Sequence, residues 1–116
     1  MKEHYMSLNE APFEQIKNGE KTVELRLFDE KRRLVQEGDV IYFSLIENAT
    51  EVIKTKVISL HKAASFATLL SEEMLVKSGF AGYTKEEAIA CMRTYYTAEK
   101  EEKYGVLGIE IQTKED

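Results

Sequence analysis

The ionisable side chains best suited to binding or catalysis lie in one short segment, Gly19-Glu20-Lys21-Thr22-Val23-Glu24-Leu25-Arg26. Apolar and polar residues alternate in its second half, which is typical of a strand with one polar face. Thr22, Glu24 and Arg26 therefore project from the same face, and Lys21 stands where the strand begins. Ionisable groups this close together are costly to bury unless they are paired or open to solvent. We therefore expect this face to line a cleft or the sheet surface.

These residue types suit a ligand that carries both a phosphate and a nitrogen ring. Lys21 and Arg26 can each bind a phosphate, and Arg26 can do so through two parallel hydrogen bonds. Glu24 can accept a hydrogen bond from an exocyclic amine such as cytosine N4. The surrounding sequence is locally positive, with Lys17, Lys21, Arg26, Lys31, Arg32 and Arg33, although the formal net charge of the chain is −5. A negative chain disfavours tight binding to long nucleic acid, so a short or local contact is expected.

The same residues also have a purely structural explanation. Glu24 and Arg26 are next-but-one neighbours on a strand face, so they could pair with each other or with Lys54 and Lys56 on an adjacent strand. The charge run Lys31–Arg33 is typical of a solvated loop. Periodicity alone therefore does not separate a binding site from a set of surface ion pairs.

The spacing GxKxxExR, at Gly19, Lys21, Glu24 and Arg26, resembles the motif of the ASCH domain, a relative of the PUA fold. A helix opening around Pro12, a Gly-Asp turn before a hydrophobic strand and the late Tyr104-Gly105-Val106 are also similar to that family, so the resemblance spans nearly the whole chain. It implies an α+β fold: a small, mostly antiparallel PUA-like pseudo-barrel of five or six strands with flanking helices. It further implies a cleft beside the motif strand that holds RNA or a nucleotide.

We add two residues to the four motif positions as candidate ligand contacts. Thr22 shares the polar face of the motif strand. Several tyrosines could stack on a base, although tyrosines at helical or strand spacing more often pack in the core or at its rim. Of Tyr83, Tyr95, Tyr96 and Tyr104, we expect Tyr104 to be the one that stacks.

An enzymatic role is the alternative hypothesis. A related branch of PUA-like proteins removes the acetyl group from N4-acetylcytidine with a threonine nucleophile placed three residues after a lysine. Lys21 matches that lysine, but Glu24 occupies the nucleophile position, and Thr22 would hold its hydroxyl about 7 Å from the required place. Hydrolysis of an N4-acylcytidine or of single-stranded RNA would instead use Glu24 as general base, Lys21 as the cation for the oxyanion and Arg26 as the phosphate ligand.

Two nearby cations would lower the pKa of Glu24 and weaken it as a base, so we prefer binding to catalysis. Whether the protein is an enzyme stays open. A protein-interaction surface is a third hypothesis, and it would require an exposed apolar patch.

Composition limits the other classes of function. The chain has 116 residues, 43% hydrophobic and 32% charged, which predicts a single domain over residues 1–116. No apolar run reaches the roughly 18 to 20 residues of a membrane span, and no secretory signal is evident, so a soluble cytoplasmic protein is expected. The single cysteine, Cys91, excludes an internal disulfide and a thiolate zinc cage. His4 and His61 lack metal-site spacing, so neither a metal nor a cofactor is predicted. The oligomeric state stays open.

The predicted elements place the motif between a helix and a turn. Alternation and turn residues predict strands over Glu3–Leu8, Val23–Leu27, Val40–Ile46, Glu51–Leu60 and Tyr104–Ile111. Asn9 is expected to cap a helix that carries Phe13 and Ile16 on one face and ends at Asn18 and Gly19. Ser65 is expected to cap a helix over Phe66–Glu73.

A second helix is expected after Thr84, where Thr84 and Glu87 form a capping box. Its stripe of Ala88, Cys91, Met92 and Tyr95 would face the core. Cys91 is accordingly predicted to be buried and inert.

Overall fold

The computed structural model describes residues 1–113, in which five strands form one curled, half-barrel sheet. In the order β1-β3-β4-β5-β2, these strands are β1 (Glu3–Leu8), β3 (Val40–Leu45), β4 (Val52–Ala63), β5 (Val106–Thr113) and β2 (Val23–Leu27). The β1–β3 pair is parallel and the other three pairs are antiparallel. This is the α+β, mostly antiparallel pseudo-barrel that the resemblance implied, with β1 and β2 as its two edge strands.

The sheet curls along its longest strand. The 12-residue β4 pairs with β3 through its first half and with β5 along most of its length. Its register with β5 shifts between Val57 and Ser59, which marks an irregularity of the kind produced by a β-bulge. Such a bulge bends a strand and increases its twist. The bend brings β1 and β2 towards each other at the open side of the half-barrel.

Five helices flank the sheet: α1 (Glu10–Lys17), α2 (Phe66–Leu69), α3 (Glu72–Lys77), α4 (Lys85–Arg93) and α5 (Ala98–Tyr104). A short 3-10 turn covers Arg32–Leu34. The helix α1 places Phe13 and Ile16 in a core cluster with the inner face of the sheet. Opposite it, Val23, Leu25 and Leu27 of β2 pack in a second cluster with α2, α3 and α4. The motif strand is therefore covered on its apolar face by helices, as its alternation predicted.

The predicted helix over Phe66–Glu73 is wrong in one respect, because the chain forms two helices there. The Ser65 hydroxyl accepts from the Thr68 N–H at 3.1 Å, as expected, but Leu70 leaves the helical conformation and is fully buried. Ser71 then caps α3 by accepting from the Met74 N–H at 3.2 Å. A second serine cap thus starts a new helix directly after Leu70.

The helix α5 was missed, and Tyr104 ends this helix instead of starting the last strand. The Thr97 hydroxyl caps α5 by accepting from the Lys100 N–H, and Gly105, with φ +75°, turns the chain into β5. An added Cβ at Gly105 would lie 3.0 Å from the Ala63 carbonyl oxygen, so glycine is required there for space as well as for conformation. Leu107, Ile109 and Ile111 of β5 are buried as predicted.

The capping box of α4 is confirmed at Thr84 and Glu87, but its predicted core stripe is narrower than expected. Ala88 and Met92 are buried, whereas Cys91 is only half-buried and the Tyr95 side chain is exposed. Within residues 1–113, the chain forms no helix with the length and apolar character needed to cross a membrane.

Candidate functional site

The carboxylate of Glu24 lies between the two cations of the motif. Its Oε1 is 3.0 Å from Lys21 Nζ, and its Oε2 accepts a hydrogen bond from Arg26 Nε at 2.7 Å. Only 4% of Glu24 is exposed. The structural explanation is therefore correct in that Glu24 and Arg26 pair with each other. Lys54 and Lys56 take no part, because they lie on β4 and the strand β2 pairs with β5 alone among the described strands.

Arg26 and Lys21 differ in how they contact their surroundings. The guanidinium of Arg26 also donates from Nη2 to the carbonyl oxygen of Ser7 at 3.2 Å. The Lys21 ammonium forms an ion pair with Glu24 Oε1 at 3.0 Å, and this buried oxygen has no other donor within residues 1–113. The Lys21 ammonium thus offsets the negative charge of Glu24, and one lone pair of the carboxylate stays available to accept a hydrogen bond.

The protonation state of Glu24 follows from these contacts. Burial alone would raise the pKa of the Glu24 carboxyl, but the adjacent Lys21 ammonium and Arg26 guanidinium outweigh burial and lower the pKa. The group is therefore ionised at neutral pH and acts only as a hydrogen-bond acceptor. A carboxylate with a lowered pKa is a weak proton acceptor in catalysis.

A cavity of about 330 Å³ lies against this charged group. Its wall combines residues of β1, α1 and β2 with residues of the α3–α4 connection and of α4. Among the described residues, the charged side chains that line the cavity are those of Lys21, Glu24 and Arg26. The lining therefore carries a net formal charge of one positive unit. Four aromatic rings also line it: Phe80, Tyr83, Tyr95 and Tyr96. This volume lies at the lower end of the range for small-molecule pockets, which is roughly 300 to 1,000 Å³.

The cavity lies where the two edge strands approach each other. Ser7 and Leu8 contribute from β1, and Glu24 and Arg26 contribute from β2. No backbone ladder joins these two strands within residues 1–113, and the Arg26 side chain bridges them instead. Lining residues at the outer end are exposed, including Ile46 at 58% and Tyr95 at 56%, so the cavity opens to solvent.

Three of the sequence-predicted site residues lie outside the lining. Gly19 is exposed and terminates α1 with φ +88°. Thr22 contributes its backbone, since its N–H donates to the Lys77 carbonyl at 2.8 Å and its carbonyl accepts from Ile111. Tyr104 ends α5, where Lys103 Nζ stands 5.1 Å from the centre of its ring. Tyr104 is therefore not positioned to stack on a ligand in this cavity.

The predicted positive surroundings do not reach the cavity lining either. Arg32 forms an ion pair with Asp29 at 3.1 Å, and the Arg33 guanidinium stands 4.6 Å from the centre of the Phe28 ring. Lys17 and Lys31 are exposed elsewhere. The positive character of the site thus comes from Lys21 and Arg26 alone.

Sequence reasoning missed several residues of the cavity wall. Tyr83, Tyr95 and Tyr96 were considered as stacking residues but ranked below Tyr104, Cys91 was assigned to the core, and Ser78 and Gln15 were not considered. Tyr96 packs against Phe66 with ring centres 6.1 Å apart, and burial raises the pKa of its hydroxyl. These residues are brought to the motif by the packing of α1, α3 and α4, which has no local sequence signal.

Neither histidine faces this cavity. His4 Nε2 bonds to Asp39 Oδ2 at 2.8 Å, and His61 Nε2 bonds to Glu110 Oε1 at 2.9 Å. The part of the chain that the structure describes contains no group of three or more His, Cys, Asp or Glu side chains placed to hold a metal ion.

Residues 6–115 match the family model of the ASCH domain. Two solved structures are similar over almost the full length of both chains. The hypothetical protein PH0355 is 37% identical, with a TM-score of 0.85 and coverage of 97% of this chain and 99% of the other. Protein PF0455 from Pyrococcus furiosus is 38% identical, with a TM-score of 0.76 and coverage of 98% and 99%.

A third structure, the ASCH domain from Lactobacillus crispatus JV V101, is 13% identical with a TM-score of 0.69. It covers 95% of this chain and 79% of the other, and at this identity the likeness shows the fold alone. No curated protein has a matching sequence.

Proposed function

The chain belongs to the ASCH domain family, a PUA-like fold, and we propose that it binds one nucleotide unit, free or within single-stranded RNA, in the cavity beside Glu24. The family is generally linked to RNA binding, which supports this class of ligand. The observation that carries the proposal is the ionised, buried Glu24 between Lys21 and Arg26 on the wall of an open cavity.

The chemistry of the wall matches the parts of a nucleotide. The phosphate would meet the Lys21 ammonium and the Arg26 guanidinium, whose combined charge exceeds that of Glu24 by one. One net positive charge complements the single negative charge of a phosphodiester group. The tyrosine side chains at the cavity wall offer aromatic faces for a base, and proteins commonly hold unpaired bases by stacking them on aromatic side chains.

Size and charge both favour a short contact. A cavity of about 330 Å³ accommodates one nucleotide unit but not a tract of nucleic acid. The formal net charge of −5 opposes tight binding to long polyanions, whose affinity comes mainly from phosphate neutralisation. We therefore propose recognition of a single unit.

Binding is preferred to hydrolysis for two reasons that come from the same geometry. The lowered pKa of Glu24 makes this carboxylate a weak general base. The Thr22 side chain lies outside the cavity lining, so it does not replace the missing threonine nucleophile. The experiment below therefore also measures hydrolysis of an N4-acylcytidine and of RNA.

Calorimetric titration of the purified chain tests the proposal. The probes are the four ribonucleoside 5′-monophosphates and a single-stranded hexaribonucleotide, each at two salt concentrations. We expect salt-dependent binding that Lys21→Ala and Arg26→Ala each weaken by about 10-fold or more, since each removes a charge-assisted hydrogen bond. The control is Lys54→Ala, which removes an exposed cation outside the cavity and should leave the affinity unchanged.

Absence of binding to every probe would contradict the proposal, as would an equal loss for Lys54→Ala and Lys21→Ala. Chromatography of the same mixtures, and of N4-acetylcytidine incubated with the protein, reports turnover. If a product forms with the wild-type chain but not with Glu24→Ala, the function is hydrolysis and not binding alone.

A further inference from the structure

The hydroxyl of Ser78 is buried in the cavity wall without a partner. Ser78 is 2% exposed, lines the cavity and has no hydrogen bond to its Oγ within residues 1–113. Buried hydroxyls in proteins are nearly always hydrogen-bonded, because leaving one unpaired costs the full desolvation of the group. An unpaired hydroxyl in a cavity wall therefore needs an explanation.

Ser78 differs in this respect from the other buried polar atoms without a hydrogen bond in the described chain. Glu24 Oε1 is 3.0 Å from Lys21, and Glu101 Oε1 is 2.5 Å from Arg93. Arg32 lacks a bond at Nε but forms an ion pair with Asp29 through Nη1. Among these groups, Ser78 alone has neither a hydrogen bond nor an opposite charge.

The segment that carries Ser78 is fixed against the motif. The Thr22 N–H donates to the Lys77 carbonyl at 2.8 Å, immediately before Ser78. On the other side, Gly79 packs so closely on Lys21 that an added Cβ would lie 3.3 Å from its Cδ. Ser78 thus lies in sequence between two residues that are fixed against the motif. Ser78 and Glu24 both line the cavity, and each has one buried oxygen without a hydrogen bond within residues 1–113.

We propose that Ser78 and Glu24 together recognise the hydrogen-bonding edge of a nucleobase, with Ser78 as a specificity-determining residue. This inference rests on the proposed function. The ionised Glu24 Oε1 only accepts, so the ligand must supply an N–H donor to it. The Ser78 hydroxyl both donates and accepts, so it bonds to the neighbouring group on the same edge. The Watson–Crick edge of every nucleobase carries a donor next to an acceptor, whereas phosphate and ribose do not present a planar pair of this kind.

Substitution of Ser78 separates a ligand contact from a structural role. With the tightest-binding monophosphate as probe, Ser78→Ala should weaken affinity by about 3- to 10-fold, the effect of one neutral hydrogen bond. The thermal midpoint should not fall, because the lost hydroxyl has no partner in the protein. The matched control is Thr55→Val, which removes a buried hydroxyl that donates to the Ile41 carbonyl at 2.9 Å and lies outside the cavity. It should lower the thermal midpoint and leave affinity unchanged.

A second measurement on the wild-type chain does not depend on any variant. The probe is the same nucleotide with methyl groups in place of the hydrogens on the donor nitrogen of its base edge. Its affinity should be at least 10-fold lower, because Glu24 Oε1 would lose its donor.

The possible outcomes separate the inference from the proposed function. If the wild-type chain binds nucleotides but Ser78→Ala or the methylated nucleotide binds equally well, the inference is wrong and the proposed function stands. A fall in the thermal midpoint of Ser78→Ala as large as that of Thr55→Val would likewise make the hydroxyl structural and overturn the inference. If the wild-type chain binds no nucleotide, both are wrong.

Discussion

Arg26 joins the two edge strands of the sheet through a single side chain: its Nη2 donates to the carbonyl oxygen of Ser7 at 3.2 Å, across the open side of the half-barrel. The same guanidinium holds Glu24 through Nε at 2.7 Å. Closure of the barrel and arrangement of the charged site thus depend on one planar group. A ligand that contacts Arg26 would also contact the element that bridges β1 and β2.

Replacement of this guanidinium by an ammonium should separate its two contacts. We expect Arg26→Lys to lower the free energy of unfolding by about 1 to 2 kcal/mol, because one ammonium cannot reproduce the fixed fork that serves Glu24 and Ser7 together. Urea unfolding followed by circular dichroism measures the change. The control is Arg33→Lys, which changes an exposed arginine outside the site. Equal midpoints for both variants would show that the bridge contributes nothing to stability.

Removal of the negative charge of Glu24 should lower the free energy of unfolding more than removal of an exposed carboxylate does. Glu24→Gln leaves Lys21 and Arg26, with side chains only 11% and 12% exposed, beside each other without their anion. We expect a loss of about 3 kcal/mol in the free energy of unfolding, since one partner of a buried ion pair is left uncompensated. The matched change Glu73→Gln, in an exposed pair with Lys77, should have little effect. A Glu24→Gln midpoint equal to that of Glu73→Gln would contradict the described pairing.

Gly79 should be required for the position of Lys21 as well as for the turn. Gly79 and Gly38 have φ values of +88° and +93°, so alanine at either position should cost about 1 to 2 kcal/mol of backbone strain. Only at Gly79 would the added Cβ also lie 2.7 Å from Gln15 Oε1 and 3.3 Å from Lys21 Cδ. Gly79→Ala should therefore weaken nucleotide binding, whereas Gly38→Ala should not. Calorimetric titration of the two folded variants checks this, and equal affinities would contradict it.

Acid should destabilise the fold through Asp39, which lies outside the site. Burial alone would raise the pKa of the Asp39 carboxyl, but hydrogen bonds from His4 and from the backbone N–H groups of Lys2 and Gln36 outweigh burial and lower the pKa to about 2. The folded-state pKa is thus below the ordinary value of 3.8. The associated stability is present above about pH 4 and is lost as the pH falls from about 4 to about 2.

Asp39→Asn tests this dependence. Across that pH window, the wild-type chain should lose about 1 to 2 kcal/mol more of its free energy of unfolding than the variant does. Urea titrations at pH 6, 4, 3 and 2 measure the difference. Parallel curves for the two proteins would show that Asp39 is not the group responsible.

The sequence predicted those parts of the fold that depend on local rules. The alternation of apolar and polar residues located β2. The glycine at the end of α1 and the Thr84–Glu87 capping box were also predicted correctly, and the motif spacing indicated the right family. The errors arose where two local rules competed. Ser71 starts a new helix directly after Leu70, and Gly105 alone separates Tyr104, the last residue of α5, from Val106, the first residue of β5.

The site was predictable only along its own strand. Glu24 and Arg26 are two residues apart, so their proximity followed from the strand period, and Lys21 lies just before the same strand. Ser78 and Tyr96 reach the same cavity from the α3–α4 connection and from beyond α4, at separations of more than fifty residues from Glu24 in sequence. Such contacts depend on how helices pack against the sheet, for which a single sequence contains no direct signal. Tyr104 was expected to start the last strand, but it ends α5 and lies outside the cavity lining.

Titration of the isotope-labelled chain with a ribonucleoside 5′-monophosphate, followed by two-dimensional amide NMR, tests the central claim most directly. We predict that ligand-dependent shifts concentrate at Ser7, Glu24, Arg26, Ser78 and Tyr96, which surround the cavity, and spare the outer sheet residues Tyr42 and Lys54. A spectrum that does not change, or one whose changes centre on Tyr42 and Lys54, would contradict nucleotide binding at this site.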